Sequence, residues 1–271
     1  MARLQLGPKD DLYYEYDSPS GQGVTFVFVN ALTGNTGMWQ ADIGPRLRAE
    51  GHGVLAYNFR GQQHSSFDAG IALTPELIVA DLKRLLEEIA PPRPVLAGLS
   101  IGGLFAAQAV LQGAAAEGLV LINTLRKPSQ RLKWLNEAQA RAMAMGGGRL
   151  LMDLYLPLLV GPAKLREMRE GALDPAAYEP MDPDHGHDKL MQGALSADWH
   201  LPYEELDVPV LVMTGLKDRV FYDEDEVAEL LGRLPRAEHL TMREYGHLIP
   251  AEAPQETAAA LLGFAETLRA D

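Results

Sequence analysis

Short apolar runs alternate with amphipathic segments along most of the chain, and this alternation is the feature that most narrows the possible folds. Several runs are apolar at nearly every position, as in strands covered on both faces, while the segments between them space their apolar residues as helices do. The runs are LYYEY (12–16), VTFVFV (24–29), GVLAYN (53–58), PVLAG (94–98), GLVLIN (118–123), PVLVMTG (209–215) and EHLTM (238–242). Strands and helices in alternation predict an α/β fold with a mostly parallel sheet.

Two of the helical segments carry their own boundary signals. TPELIVADLKRLLEEIAPP begins with Thr74 as an N-cap and Pro75 at the first helical position, and a Pro-Pro pair ends it. In DEDEVAELLGRL, Asp223 and Glu226 have the spacing of a capping box. These signals predict helices between the strand patterns.

The alternation stops between residues 126 and 205. This stretch contains four helical patterns divided by Gly and Pro, with no strand pattern between them. They are RLKWLNEAQARAMAMGGG, RLLMDLYLPLLV, AKLREMREGAL and DKLMQGALSADW. We therefore predict a core made of residues 1–125 and 206–271, and a helical lid of residues 126–205 over one end of the sheet.

Composition argues against several classes of protein. The formal net charge is −13 and no cluster of Lys or Arg stands apart from acidic neighbours, so nucleic acids and anionic membranes are poor partners. The chain has no cysteine, and therefore no disulfide, thiolate metal site or cysteine nucleophile. No apolar run approaches the ~18 residues of a membrane span, and the N-terminal residues lack the apolar core of a signal peptide. We expect a cytoplasmic protein, and its oligomeric state is open, with a homodimer as one option.

A serine between two glycines, in GLSIGG (98–103), stands where a strand pattern turns into a helix pattern. A tight turn there would strain the serine backbone, and side chains at positions 98 and 102 would clash with their neighbours. The Ser100 hydroxyl would then stand clear of the sheet, and the N–H of Ile101 could stabilise an oxyanion at the helix N-terminus. The motif also arises by chance in a chain with 26 glycines, but its strand-to-helix context favours a nucleophile.

A nucleophilic serine needs a base, and an acid that orients the base. Asp218 comes just after the strand pattern PVLVMTG, and His247 lies on a loop after the last strand pattern. Each alone has a structural explanation, a turn for Asp218 and a packing role for His247. Their order after Ser100 and their places at strand carboxyl ends, where open α/β sheets bind ligands, favour a catalytic triad. Asn123, after an earlier strand, is an amide and cannot replace the carboxylate.

Together these motifs resemble the α/β-hydrolase fold family. GLSIG is similar to its nucleophile elbow, GLKDRV to its acid loop and GHLIP to its histidine loop, and the helical stretch lies where that family carries a lid. The resemblance implies a mostly parallel eight-stranded sheet flanked by helices, with the lid inserted after the sixth strand. It also implies that Ser100, Asp218 and His247 are catalytic, in a mechanism that needs no cofactor and no metal.

The loop after the VTFVFV run is similar to that of 3-oxoadipate enol-lactonases. Those enzymes read Asn-Ser-Leu-Gly here with a Met-Trp pair soon after, and this chain reads NALTGNTGMW from residue 30. The resemblance places a second oxyanion donor at the N–H of Leu32. Asn30 and Ala31 replace the His-Gly of many relatives, and the similarity weakens after Leu125.

Four further side chains are candidates for substrate contacts: Asn30, Gln62, Asn123 and Trp134. Gln62 stands in NFRGQQHSS, where relatives usually have histidine, and a plain loop substitution is an equal alternative. DPDHGHD (182–188) holds two histidines and three acids, but it lacks regular ligand spacing and favours a polar loop over a metal site.

The expected activity is hydrolysis of a small carboxylic ester or lactone, with a small molecule as the partner. The same triad serves hydrolysis of carbon–carbon or amide bonds and acyl transfer, and the sequence leaves these open. A non-catalytic binding protein of the same fold is a third hypothesis, against which the presence of all three triad residues counts.

Overall fold

A mostly parallel sheet of eight strands forms the centre of the computed structural model, which describes residues 2–270. The strands are β1 (Ala2–Gln5), β2 (Asp11–Asp17), β3 (Thr25–Val29), β4 (Gly53–Tyr57), β5 (Pro94–Leu99), β6 (Gly118–Ile122), β7 (Val210–Gly215) and β8 (Ala237–Met242). Their order is β1-β2-β4-β3-β5-β6-β7-β8; β1 and β2 are antiparallel to their neighbours, and β3 to β8 run parallel. The carboxyl ends of β3 to β8 therefore meet at one edge of the sheet.

Helices flank the sheet and fill the chain between β6 and β7. Those in the described residues are α1 (Gly37–Gln40), α2 (Ile43–Ala49), α3 (Pro75–Ile89), α4 (Ile101–Leu111), α5 (Gln130–Leu159), α6 (Pro162–Met168), α7 (Gly186–Ala194), α8 (Glu224–Gly232), α9 (Ile249–Glu252) and α10 (Pro254–Ala270), with 3-10 turns at Pro175–Ala177 and Tyr203–Glu205. α5 is kinked where Gly146 and Gly147 leave helical angles, at φ −148° and 65°. None of these helices combines the length and the apolar character that a membrane crossing requires.

Alternate residues of the central strands enter two hydrophobic cores, one on each face of the sheet. Val27 and Val29 of β3 pack into the core that includes α3 and α4, whereas Phe26 and Phe28 pack into the core that includes α2 and α10. Phe28 stacks on Trp39 of α1 with ring centres 4.4 Å apart. Successive side chains of a strand point to opposite faces, so burial on both faces explains why β3 is apolar throughout.

All seven strand patterns lie on strands, and both boundary signals mark helix N-caps. The Thr74 hydroxyl accepts the N–H of Leu77 at 3.3 Å. The Asp223 carboxylate accepts the N–H of Glu226 at 3.1 Å. The patterns missed β1, because four residues with one buried side chain carry no readable alternation.

The described chain between β6 and β7 is helical and contains no strand, as the sequence patterns predict. Met143 and Leu151 of α5 pack with Met191 of α7 in a small core, and Leu32 of the β3 loop lies against it. We call residues 126–205 the helical segment. The division of the chain into a core and a lid stays a prediction.

An ion pair joins the loop after β4 to α3. Arg60 donates through Nε and Nη2 to both carboxylate oxygens of Asp81, at 2.7 and 2.6 Å, and Asp10 lies 3.2 Å from Nη1. Burial raises the pKa of Asp81, and the Arg60 guanidinium acts in the opposite direction. The side chains of Arg60 and Asp81 are 12% and 5% exposed, so loss of one partner leaves a charge in a poorly hydrated place.

Replacing Arg60 by methionine should lower the free energy of unfolding by about 3 kcal/mol, because the buried Asp81 would lose its main partner. Urea denaturation followed by circular dichroism measures the change. Lys9→Met is the control, because Lys9 and Asp68 form a pair whose side chains are 72% and 40% exposed. We expect that control to change the free energy of unfolding by less than about 1 kcal/mol. Equal losses of stability in both variants would contradict the stabilising role of the buried Arg60–Asp81 pair.

Candidate active site

Ser100 lies on the turn between β5 and α4, with a positive φ of 59° (ψ −123°) that residues with a side chain rarely adopt. Backbone and side chain groups from the end of β6 hold it there. The Ser100 N–H donates to the carbonyl of Ile122 at 2.8 Å, and the Thr124 hydroxyl donates to the Ser100 carbonyl at 3.0 Å. The strained conformation is therefore fixed by neighbouring structure, as is common at functional sites.

The glycines on either side of Ser100 are required by close backbone contacts. A Cβ at Gly98 would lie 2.3 Å from the backbone N of Gly103. A Cβ at Gly102 would lie 2.3 Å from the carbonyl O of Val29. Both distances are far shorter than the ~3.5 Å of ordinary contact, so β3, β5 and α4 approach each other more closely than any larger residue allows. This confirms the steric reason for the motif.

Gly102→Ala should destabilise the fold by at least about 2 kcal/mol, because the new methyl group meets backbone atoms that cannot rotate away. The matched control is Gly263→Ala in α10, where nothing lies within 4 Å of the position of a Cβ. Alanine there should raise stability by about 0.5 kcal/mol, as expected for a helix interior. Thermal unfolding compares the two variants, and a Gly102→Ala protein as stable as the wild type would refute the tight contact.

His247 and Asp218 form a buried pair beyond the carboxyl ends of β8 and β7. Nδ1 of His247 lies 2.6 Å from Oδ2 of Asp218, and their side chains are 5% and 1% exposed. Oδ1 of Asp218 accepts the N–H groups of Val220 and Phe221 at 3.0 and 2.9 Å. Burial would raise the pKa of the Asp218 carboxyl, but the imidazole and the Phe221 N–H outweigh burial and leave the pKa below its usual value. The carboxylate thus favours a proton on Nδ1 and leaves Nε2 free as a base.

Asn123 joins the loops that carry this pair. Its Nδ2 donates to the carbonyls of Gly246 and His247 at 3.0 and 2.9 Å. Its Oδ1 accepts the N–H of Gly215 at 2.8 Å. Both ends of the amide are occupied by backbone groups. In this structure Asn123 thus positions the loops, and its expected substrate contact stays a prediction.

Asn30 is fully buried in a network of polar side chains below the loop after β3. Its Nδ2 lies within hydrogen-bond distance of the Tyr57 carbonyl, Asn58 Oδ1 and Gln62 Oε1, at 2.8, 3.1 and 3.0 Å. Its Oδ1 accepts the indole N–H of Trp39 at 2.8 Å. Because each polar atom has protein partners and none is exposed, Asn30 has a structural role in this structure, and its expected substrate contact stays a prediction.

Gln62 holds the loop that carries Leu32. Its Nε2 donates to the carbonyls of Ala31 and Leu32 at 2.8 and 3.1 Å, and its Oε1 accepts the N–H of Phe59 at 2.9 Å. The side chain is buried and all its hydrogen bonds go to protein groups. Gln62 thus positions this loop in the structure, and its expected substrate contact stays a prediction.

Ser100 lines two adjoining cavities below the helical segment. The main cavity, about 120 Å³, also borders Leu32, Ile101 and His247, and Tyr155 of α5 closes it from the other side. Within residues 2–270 neither the Leu32 N–H nor the Ile101 N–H donates a hydrogen bond. Both predicted oxyanion donors are therefore unpaired groups at the cavity that contains the serine and the histidine.

The side cavity, about 60 Å³, borders Arg126, which the sequence analysis missed. Nη2 of Arg126 donates to Ser100 Oγ at 3.0 Å and to the Asn123 carbonyl at 2.9 Å. Among the described residues, Oγ is hydrogen bonded to Arg126 and not to His247. The available signal was a basic residue in NTLRK, directly after the carboxyl end of a strand.

Two other sequence candidates lie apart from Ser100. Trp134 of α5 is 78% exposed and borders neither cavity, and its expected substrate contact stays a prediction. In DPDHGHD, His185 accepts the N–H of His187 at 3.2 Å and caps α7. No group of three His, Cys, Asp or Glu within residues 2–270 is arranged to hold a metal ion.

Comparison with known proteins identifies the family. The model of the alpha/beta hydrolase fold matches residues 24–254, and the chain belongs to that family. The resemblance read from the motifs and the predicted fold class, with its mostly parallel eight-stranded sheet, are both confirmed.

Individual relatives differ in what their names describe. The "Putative carbamate hydrolase RutD" of Variovorax paradoxus (strain S110) is 32% identical over 155 residues, which is 56% of this chain and 56% of that protein. The structure of a thermophilic esterase from Thermogutta terrifontis has a TM-score of 0.81 at 21% identity, with 99% of each chain covered. The enol-lactonase of Burkholderia xenovorans LB400 has a TM-score of 0.73 at 22% identity, with 94% of this chain and 96% of that chain covered. At these identities the two structures show the shared fold alone.

Proposed function

We propose that this protein is a serine hydrolase that cleaves a small carboxylic ester or lactone through an acyl-enzyme on Ser100. The observation that carries the proposal is the main cavity, where Ser100 and His247 lie together with the unpaired N–H groups of Leu32 and Ile101. Asp218 holds the His247 ring in the orientation that a general base needs. The names of the relatives, a carbamate hydrolase, an esterase and an enol-lactonase, support hydrolysis of an acyl bond.

The first step forms the acyl-enzyme. The Ser100 hydroxyl has one hydrogen to donate and two lone pairs, so it can accept from Arg126 and still donate to Nε2 of His247. His247 takes that proton as Oγ bonds to the acyl carbon, and the carbonyl π electrons move to oxygen. The carboxylate of Asp218 stabilises the imidazolium that results.

Collapse of the tetrahedral intermediate expels the leaving group. The N–H groups of Leu32 and Ile101 stabilise the oxyanion, each worth about 3 kcal/mol in comparable sites, and the Ile101 group lies at the N-terminus of α4. His247 gives its proton to the leaving oxygen. Water then attacks the acyl carbon with His247 again as base, and the acid leaves with Ser100 restored.

The size of the main cavity favours small acyl groups. About 120 Å³ accommodates a few heavy atoms, and its walls include Leu151, Met152 and Tyr155. A small-molecule substrate with a short apolar portion fits this space better than a macromolecule or a long-chain lipid does.

A carbamate is a second candidate, favoured by the named activity of the Variovorax protein. A carbamate carbonyl accepts the same attack by Ser100, so its hydrolysis requires no change in the triad. Amide or carbon–carbon bond cleavage and acyl transfer remain open for the same reason. Product analysis with and without an added alcohol or amine acceptor separates hydrolysis from acyl transfer.

Ser100→Ala should reduce kcat/KM for short p-nitrophenyl esters or enol-lactones by about a million-fold, because the nucleophile is lost. Time-resolved mass spectrometry of the intact protein with a fluorophosphonate provides the second readout. We expect one adduct per wild-type chain and none on Ser100→Ala.

Ser196→Ala is the matched control, because Ser196 is an exposed serine of the helical segment whose hydroxyl donates to the Gly193 carbonyl at 2.8 Å. This control should keep both labelling and turnover. Turnover by Ser100→Ala near the wild-type rate would reject the covalent mechanism. Absence of both labelling and turnover in the wild type would favour the non-catalytic binding protein instead.

A further inference from the structure

Arg126 is a buried cation in the wall of the side cavity. It follows β6 closely and is 4% exposed. Its guanidinium carbon lies 4.3 Å from the ring centre of Phe221 and 4.5 Å from that of Trp199. Cation–π attraction to these two rings holds the guanidinium beside Ser100.

The hydrogen bonds of Arg126 leave much of its guanidinium unused. Both of its bonds to described residues come from Nη2, and both go to neutral acceptors, Ser100 Oγ and the Asn123 carbonyl. Nε is buried and has no hydrogen-bond partner among residues 2–270. A guanidinium has five N–H donors, so most of them remain for another acceptor.

The neighbouring carboxylates do not pair with Arg126. Asp218 bonds to His247, and the Glu226 carboxylate accepts the N–H of Lys127 at 3.1 Å. Burial lowers the pKa of Arg126 to about 10, which still leaves the group positively charged at neutral pH. Asp218 and Glu226 favour its charged form electrostatically without forming a salt bridge with it. Within residues 2–270 the guanidinium is thus a buried cation whose unused N–H groups are available to a ligand.

The chain as a whole is negatively charged, so attraction of an anion to the site depends on a local cation such as Arg126. The formal net charge is −13, so the protein as a whole does not attract anions from solution. A preference for an anionic ligand therefore has to come from a group at the site. Arg126 is such a group, and its planar donors match the two oxygens of a carboxylate.

We propose that Arg126 binds a carboxylate on the substrate and makes the site selective for anionic small esters or lactones. This inference rests on the proposed function, since the carboxylate belongs to the molecule whose acyl carbon Ser100 attacks. Because Nη2 lies 3.0 Å from Ser100 Oγ, the carboxylate has to be only a few bonds from the reacting carbonyl. The side cavity of about 60 Å³ is large enough for such a group and too small for a long chain.

A pair of substrates that differ only in charge tests the proposal. The mono-p-nitrophenyl ester of glutaric acid carries a carboxylate, and its glutaramic acid counterpart carries an isosteric neutral carboxamide. We expect the wild type to favour the carboxylate by at least ten-fold in kcat/KM, largely through KM, and to keep that preference in 0.5 M salt because the contact is buried. Subtracting the rate with Ser100→Ala removes spontaneous hydrolysis.

Arg126→Met should remove the preference for the carboxylate substrate. Arg126→Lys should retain part of that preference, because lysine keeps the positive charge but lacks the planar guanidinium. Arg141→Met is the matched control: it deletes an exposed arginine of the same helical segment and should leave the ratio within two-fold. Thermal unfolding checks that each variant is folded. If Arg126→Met does not fold, the wild type alone still tests the proposal. A kcat/KM for the carboxylate substrate equal to or below that for the carboxamide would refute it.

Binding of glutarate to Ser100→Ala, measured by calorimetry, provides a readout independent of turnover. We expect at least ten-fold weaker binding in the Ser100→Ala, Arg126→Met double variant, and equal affinities would overturn the inference. If the fluorophosphonate labels the wild type but kcat/KM shows no preference for the carboxylate substrate, this inference is rejected and the proposed function stands. No labelling would reject the proposed function, and calorimetry would still decide whether Arg126 binds a carboxylate.

Discussion

The close approach of α4 to β3 and β5 is the contact on which the geometry around Ser100 depends. A Cβ at Gly102 would lie 2.3 Å from the Val29 carbonyl oxygen and 2.4 Å from that of Asn30. This contact brings the loop after β3 against the first turn of α4. Ser100, whose φ is positive, borders the main cavity together with Leu32 of that loop and Ile101 of α4.

Neutral amide side chains hold the loops around the site. Asn30 and Gln62 fix the loop after β3 from below, and Asn123 ties together the loops that follow β7 and β8. Amides keep the same charge at every pH, so these supports do not change as the site titrates. The loops that carry Asp218 and His247 are therefore held in part by an uncharged side chain.

Local sequence patterns were sufficient for seven of the eight strands, for the capped helices and for the turn at Ser100. Each depends on residues close together in the chain, such as the glycines at positions 98 and 102. The roles of Gln62, Asn123 and Arg126 depend instead on partners 30, 124 and 26 residues away. A single sequence does not reveal which polar residues the strand ends bring together, so it does not separate buried supports of the loops from substrate contacts. Nor does the pattern of α5 show that Trp134 lies on an exposed face of the helix.

The hydrogen bond between Arg126 and Ser100 defines the resting state of this site. A donor at Oγ does not prevent the hydroxyl from donating to His247, and it would also stabilise negative charge that develops on Oγ. The aromatic rings that hold Arg126 belong to the helical segment and to the loop after β7. The helical segment thus supplies Arg126 and one of the two rings that pack on it beside Ser100.

The most direct measurement of the central claim is a crystal structure of the fluorophosphonate adduct. Our account predicts a bond between phosphorus and Ser100 Oγ, with the phosphonyl oxygen within about 3.1 Å of both the Leu32 and the Ile101 backbone N atoms. A phosphonyl oxygen directed away from these two N–H groups, or an adduct on another residue, would contradict it.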